Sequence, residues 1–307
     1  MSPPMSPSMK KVLRVTVATT LLLAGVVVAV ALGTLGLEWR KNAAPECRVA
    51  AFMYHSVIPD SLPGQRFDIR HSDFKRHLGE LDEAGVRVVD PLISESATGS
   101  MADAIEAWCS QHDRVAMITF DAETPSHHAT LSVPELRARD MTAAYFVVTD
   151  FLDASNWVSR SDIEVMLEAG MRVGSHSHRH PLMTRIPPSE VREDLSASVA
   201  VLGELAATGP PMLALPGGRY DPEVLRIAGD IGFSQIFTSD PCYVKPTTPS
   251  NRICRIEVRG DRGPSPLEFL DSPFLVSRQG WSWGWKRRIE GLTGVWIWDL
   301  ISRMRYG

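Results

Sequence analysis

Cysteine is sparse in this chain, four residues in 307, and no pair stands in C-x-x-C spacing, which excludes a zinc ribbon. Cys242 and Cys254 are near enough in sequence to close a short loop as a disulfide, and four buried free thiols are the other reading of the set. An excess of either charge is also missing. Thirty-two Lys and Arg stand against 36 Asp and Glu, a net charge of −4, and nothing in that balance attracts nucleic acid. Internal repeats and low-complexity tracts are absent, and 44% hydrophobic content in 307 residues suits one large core or two small ones. Histidine is scarce, nine in all, with none after His180.

One long apolar run is present. Val15 to Leu37 carries no charge and follows Lys10, Lys11 and Arg14, which predicts a bilayer-spanning segment. A cleaved secretory signal would have a shorter core followed by a small-x-small site. Here Glu38-Trp39-Arg40-Lys41 follows, and the expectation is an uncleaved anchor. The basic residues and the free amino end before it place the N-terminus in the cytoplasm. The expected protein is therefore a single-pass membrane protein with its bulk outside the cytoplasm, a compartment that disulfides suit.

From Cys47 to about Gly260 strand-like and helix-like segments alternate. The strand candidates are Val49–Val57, Val86–Val89, Val115–Asp121, Ala143–Val148, Met171–Ser175, Met212–Leu215, Phe233–Thr238 and Arg255–Val258. Helical spacing follows a Ser72 cap and a Ser189 cap. Ser161 to Glu164 reads as a capping box, Asp221-Pro222 as a helix start, and Gly85, Gly170 and Gly232 as helix stops. Regular βα alternation predicts a parallel sheet, open or closed into a barrel, with its chemistry at the strand C-termini.

Those strand ends are rich in chemistry. The first ends in Met53-Tyr54-His55, the third in Asp121-Ala122-Glu123, the fifth in His176-Ser177-His178-Arg179-His180-Pro181, and the sixth in Pro216-Gly217-Gly218-Arg219-Tyr220. Three histidines in five residues suit zinc or another late first-row divalent metal, with a carboxylate from Asp121 or Glu123 beside them.

These residues resemble the polysaccharide deacetylases of the NodB-homology type, carbohydrate esterase family 4, which carry T-F-D-D, then H-[ST]-x-x-H-P, then a P-x-G turn. Here the matching stretches are Thr119-Phe120-Asp121-Ala122, His176 to Pro181, and Pro216 to Asp221. The resemblance implies an α/β fold of the distorted (β/α) barrel kind and metal-assisted removal of N-acetyl groups from a polysaccharide. By position it makes Asp121 the catalytic base and His176 and His180 metal ligands. It places the third ligand on Ala122, which has no donor atom. Glu123 is the nearest replacement, with His127, His128 and His178 as others. The leaving-group acid falls to His55, by likeness to a permuted branch related to the poly-N-acetylglucosamine deacetylases. Gly217 would serve the oxyanion, and Arg219 and Tyr220 the glycan.

The expected organisation is a basic cytoplasmic end over 1–14, an anchor over 15–37, a linker over 38–47, a deacetylase-like domain over 48–262 and a tail over 263–307. That tail gathers Trp281, Trp283, Trp285, Trp296 and Trp298 around Lys286, Arg287 and Arg288. Trp285, Ile289, Leu292, Trp296 and Leu300 share a helical face. An interfacial helix on an anionic membrane, a helix packed on the barrel and a sugar-stacking platform all remain open. Three functions stay in view. The first is a membrane-anchored hydrolase of an N-acetylated cell-surface or exported polysaccharide. The second is a glycan-binding module without efficient hydrolysis, and the third a membrane assembly factor contacting polysaccharide-biosynthesis proteins.

Overall fold

The computed structural model describes residues 7–42, 46–65, 67–93, 100–122, 127–155, 157–205, 212–260 and 263–293. Its strands are β1 (Arg48–Tyr54), β2 (Ser56–Ile58), β3 (Asp68–Arg70), β4 (Arg87–Val88), β5 (Arg114–Ala122), β6 (Ala144–Val147), β7 (Arg172–Ser175), β8 (Met212–Ala214), β9 (Gln235–Phe237) and β10 (Ile256–Glu257). The α-helices are α1 (Pro7–Asn42), α2 (His71–Glu83), α3 (Met101–Cys109), α4 (Val133–Arg137), α5 (Arg160–Glu168), α6 (Pro188–Glu204), α7 (Pro222–Ile231), α8 (Pro266–Asp271) and α9 (Pro273–Thr293).

The main sheet is parallel throughout, in the order β10-β1-β5-β6-β7-β8-β9, with β4 beside the start of β5. It curls into a half-barrel whose edges are tied together by one segment: Ile253 bridges Phe237 of β9, and three residues on Ile256 pairs with Phe52 of β1. The first predicted strand splits at His55, and its second half, β2, pairs with β3 as a separate ribbon.

Alternation along β5 divides the core into two layers. Ala116, Ile118, Phe120 and Ala122 join Phe74, Leu78, Leu136, Ile163, Leu270 and Val276 in the layer between sheet and helices. Val115 and Met117 join Val49, Ala51, Phe146, Ala214 and Phe237 on the concave side. Thr119 and Asp121 share the phase of that second set, so the strand carries its carboxylate to the concave mouth.

Several helix starts differ from the sequence reading. Ser159, not Ser161, caps α5, with Asp162 completing the box. Helix α2 begins at His71, while Ser72 donates to Asp60, and α6 begins behind Pro187. The Asp221 cap is as read, its carboxylate accepting from Val224 N. Gly85, Gly170 and Gly232 all take positive φ after their helices. Two disulfides form, Cys47–Cys109 and Cys242–Cys254, which settles the thiol question in favour of pairing.

The expected membrane anchor is overturned. Among the described residues no helix is long and apolar enough to cross a membrane, so the single-pass placement with a cytoplasmic N-terminus does not stand. The run from Val15 lies within α1, a helix that continues through Glu38, Arg40 and Lys41 to a buried Asn42. Its last turns are fastened to the domain: Trp281 Nε1 donates to Thr34 Oγ1, Ser277 Oγ to the Glu38 carbonyl, and Tyr243 N to Asn42 Oδ1. Residues 294–307, with Trp296, Trp298 and Leu300, lie outside the described residues, as does Glu123.

Candidate active site

Asp121 closes β5 with its side chain buried and both oxygens on one guanidinium. Arg255 Nη1 donates to Oδ1 at 2.5 Å and Nη2 to Oδ2 at 2.8 Å. Arg255 is itself fully buried. Its Nε donates to the Thr238 carbonyl at 2.9 Å, its Nη1 reaches Thr119 Oγ1 at 3.3 Å, and its Cζ lies 5.6 Å from the Phe146 ring centre. Burial raises the Asp121 pKa, but Arg255, then His176 and His55, outweigh it and hold the carboxyl below its ordinary value. Asp121 is therefore an anion at neutral pH.

His176 follows β7 on the same side of the sheet. Its Nδ1 lies 2.8 Å from the Ala214 carbonyl, an acceptor only, so Nδ1 carries the proton and Nε2 presents a lone pair. That Nε2 lies 3.2 Å from His180 Nε2 and 4.0 Å from Asp121 Oδ2. The loop that brings the rings together takes left-handed backbone at two non-glycine residues, Ser177 (φ 69°) and His180 (φ 59°). Strain of this kind persists only where the surroundings hold it. Here Asp194, fully buried on α6, accepts from His178 N, Arg179 N and Arg179 Nε, and Ser177 Oγ accepts from His180 N.

His55, at the end of β1, is buried and stacks on Phe67 with ring centres 4.7 Å apart. It follows Tyr54, whose partner across the sheet is Phe120, the residue before Asp121. His178 turns away from the pair, to Thr149 Oγ1 at 2.9 Å and Asp150 at 3.5 Å. His128 is buried behind Phe120 and Tyr145, where burial pushes its pKa down to about 3. Neither joins His176 and His180.

Among the described residues no group of three His, Cys, Asp or Glu is placed to hold a metal ion. Two imidazole nitrogens face each other, but the carboxylate beside them is already clamped by Arg255. Ala122 belongs to the helix-side layer and is 1% exposed, so its Cβ points away from the histidines. The described donor set is thus short of a divalent site, which needs at least three protein ligands.

The turn after β8 takes left-handed backbone at Gly217 (φ 59°) and Gly218 (φ 63°). A Cβ on Gly218 would lie 2.5 Å from Ser239, so glycine is required there on both counts. Gly218 N donates to the Leu215 carbonyl. Arg219 is half-buried with its guanidinium 5.3 Å from the Trp283 ring centre, and Tyr220 donates to Asp240 Oδ2 at 2.5 Å.

Arg255, Asp194 and Asp240 were not singled out from sequence. Arg255 had a legible signal, a lone cation among Ile253, Cys254 and Ile256 in a strand. Asp194 and Asp240 had none, because their partners are distant in sequence or in another element.

A family model for polysaccharide deacetylase matches residues 110–236. The Bacillus subtilis (strain 168) protein YxkH, described as a candidate polysaccharide deacetylase, is 20% identical over 66% of this chain and 68% of its own length. The Streptococcus pyogenes deacetylase PplD, solved in complex with acetate, superposes with a TM-score of 0.62 at 18% identity, covering 75% of this chain and all of that one. IcaB from Ammonifex degensii superposes at 0.58 and 23% identity, covering 76% and 97%. At these identities the solved structures speak for the fold.

Proposed function

We propose that this chain, which a family model for polysaccharide deacetylase matches over residues 110–236, removes N-acetyl groups from a cell-surface or exported polysaccharide by hydrolysis. The carrying observation is the buried Asp121 carboxylate held 4.0 Å from His176 Nε2 at the concave mouth of the sheet. In this reading Asp121 accepts a proton from water as the water oxygen bonds to the acetyl carbon. The Gly217 N–H faces the developing oxyanion, since Gly218 N is engaged with Leu215. His55 then protonates the sugar nitrogen as the C–N bond breaks, leaving acetate and a free amine. Arg219 and Tyr220 border the glycan. The two disulfides fit an oxidising compartment, where such polymers are found.

Family members generally use a divalent metal, and His176 and His180 present the nitrogens to hold zinc or a related ion, with Glu123 as the proposed third ligand. Zinc titration of the purified protein tests this. Binding lost in Glu123→Ala is the expected result, and binding unchanged in that variant overturns the assignment of Glu123. For the activity, acetate is measured after incubation with N-acetylglucosamine oligomers and added divalent ions. Release that disappears in His55→Gln is expected, and no release under any metal sinks the hydrolase reading. One observation favours a second reading, a glycan-binding module without turnover. It is Ala122, which stands where the family has a carboxylate and faces the apolar layer.

A further inference from the structure

The carboxylate of Asp240 has no part in the chemistry proposed above, yet it gathers donors from two distant stretches of the chain. Oδ2 accepts from Tyr220 Oη at 2.5 Å, in the turn after β8. Oδ1 accepts from Trp283 Nε1 at 3.2 Å and from Arg287 Nη1 at 2.8 Å, two residues one turn apart on the same face of α9. Hydrogen bonds to a carboxylate are the stronger kind, and a network of them fixes its members together. Tyr220 is held from a second side, because Arg287 Cζ lies over its ring, 5.4 Å from the centre. Burial, and after it the bond to Asp240, raises the Tyr220 pKa, so the phenol is the donor at neutral pH.

This network sits at the edge of the mouth. A Cβ on Gly218 would meet Ser239, and one on Gly217 would meet Leu182, two residues past His180. The turn that carries Tyr220 is therefore wedged between the histidine loop and the segment after β9. Ser239 Oγ in turn reaches Met53 Sδ at 3.6 Å, two residues before His55. Asp240 N donates to Thr238 Oγ1 at 3.3 Å, and the Thr238 carbonyl takes Arg255 Nε, whose guanidinium holds Asp121. The helix on the other side of Asp240 is also fastened to the sheet. Gln279 Oε1 accepts from Glu257 N and Gln279 Nε2 donates to the Glu257 carbonyl, which ties α9 to β10.

We propose that Asp240 is a positioning residue for glycan binding: it sets the direction of the Tyr220 ring at the mouth and makes α9 part of the binding structure. This rests on the glycan-hydrolase reading, in which Tyr220 borders the sugar, and adds the residue that orients it. Packing of the turn decides where Tyr220 starts, and Asp240 decides where its ring points. A pyranose then meets the ring on the face opposite Arg287. A ring ordered in advance spares the complex the entropy of ordering it on binding. That order serves the bound substrate and the transition state alike, so its loss raises KM and leaves kcat.

The test uses the full chain with an N-acetylglucosamine tetramer, calorimetry giving Kd and acetate release with added divalent ions giving kcat and KM. Asp240→Asn turns one end of the side chain into a donor, so it can serve Tyr220 or α9 but not both. It should raise Kd and KM about fivefold and leave kcat within about twofold of the parent. A merely structural loss would lower the amount of active protein, and with it kcat, without moving KM. Tyr220→Phe should raise Kd to a similar extent, and the double variant should be no worse than either alone, because hydroxyl and carboxylate act as one unit. Trp283→Phe keeps a ring and removes its N–H. It should raise Kd about twofold in the parent and not at all in Tyr220→Phe, which carries the test from α9 if Asp240→Asn does not fold. An unmoved Kd in Asp240→Asn, additive losses in either pair, or a fall confined to kcat overturns the proposal. So does a parent that binds no tetramer. Acetate release with Kd unmoved in Asp240→Asn leaves the hydrolase reading standing without this role. Coupled losses of binding in a chain that releases no acetate keep the role of Asp240 and remove the hydrolysis.

Discussion

At the scale of single residues, the Asp121–Arg255 pair is the most consequential contact. Both partners are buried, at 4% and 0% exposure, so removing either leaves an uncompensated charge in the protein interior. Asp121→Asn and Arg255→Met should each cost about 3–5 kcal/mol in urea unfolding, and combining them should cost clearly less than the sum. Additive losses would show that the pair is not coupled. Asp121→Asn is consequently a poor test of catalysis alone, since it also loosens the segment from Thr238 to Ile256 that joins the sheet edges. Ala122→Asp is a second case. From sequence it looks like restoration of a missing ligand, but the side chain enters the layer of Phe120, Tyr145 and Val147. We expect it to lower stability by about 3 kcal/mol or more without strengthening zinc binding. Tighter zinc binding in that variant would mean that the strand end turns outward to meet the histidines.

At the scale of elements, the disulfides differ in reach. Cys47–Cys109 spans 62 residues and ties the end of α3 to the start of β1, whereas Cys242–Cys254 closes only 12. Loop-closure entropy puts the first at about 4 kcal/mol and the second at about 3 kcal/mol. Paired Cys→Ser substitutions followed by chemical unfolding should show the larger loss at Cys47 and Cys109, and the reverse order would contradict this account. Helix α6 offers an element-level test of the histidine loop. Asp194→Asn keeps an acceptor but loses the charge that gathers three N–H groups, and it should lower kcat on N-acetylated oligomers more than it changes KM. A change confined to KM would assign the loop to binding. The same elements show what the sequence could and could not reveal. β5, β6 and β7 were legible because each is a short apolar run ending in polar residues, and Asp221-Pro222 because a cap is a local device. The start of α5 slipped by two residues because Ser159 and Ser161 both precede acids at capping distance, and only tertiary packing chooses between them. Arg255 was placed on a strand but given no role, since its meaning depends on Asp121, 134 residues away. The run from Val15 read as an anchor because apolarity alone does not reveal that the helix continues to Asn42 and docks on α9.

At the scale of the whole molecule, acid stability follows from two histidines kept neutral by burial. Burial is the main cause for both, pushing His77 down to about 4 and His128 to about 3. His77 sits between Tyr54 Oη and the Arg76 guanidinium, and His128 lies against Phe120 and Tyr145, where a charge has no solvent to stabilise it. In the unfolded chain both return to the ordinary imidazole range near 6.5. Between the folded and unfolded values the unfolded state binds more protons, so stability rises with pH across that window and is lost as pH falls through it. Asp121 acts in the same direction at lower pH, because its carboxyl is held below its ordinary value in the folded state. The unfolding free energy should therefore be flat above about pH 7 and fall below about 6.5, with a slope approaching about 2.7 kcal/mol per pH unit from these two groups together. His128→Phe replaces the imidazole with a ring suited to its aromatic surroundings and removes one of the two protons. Urea unfolding across pH 4.5 to 7 should then show the acid slope reduced by about 1.4 kcal/mol per pH unit, with stability at pH 5 raised relative to the parent. Every other titrating group is common to both proteins, so the difference isolates His128. An unchanged slope would mean that His128 takes up its proton without unfolding, and that the space behind Phe120 and Tyr145 admits water.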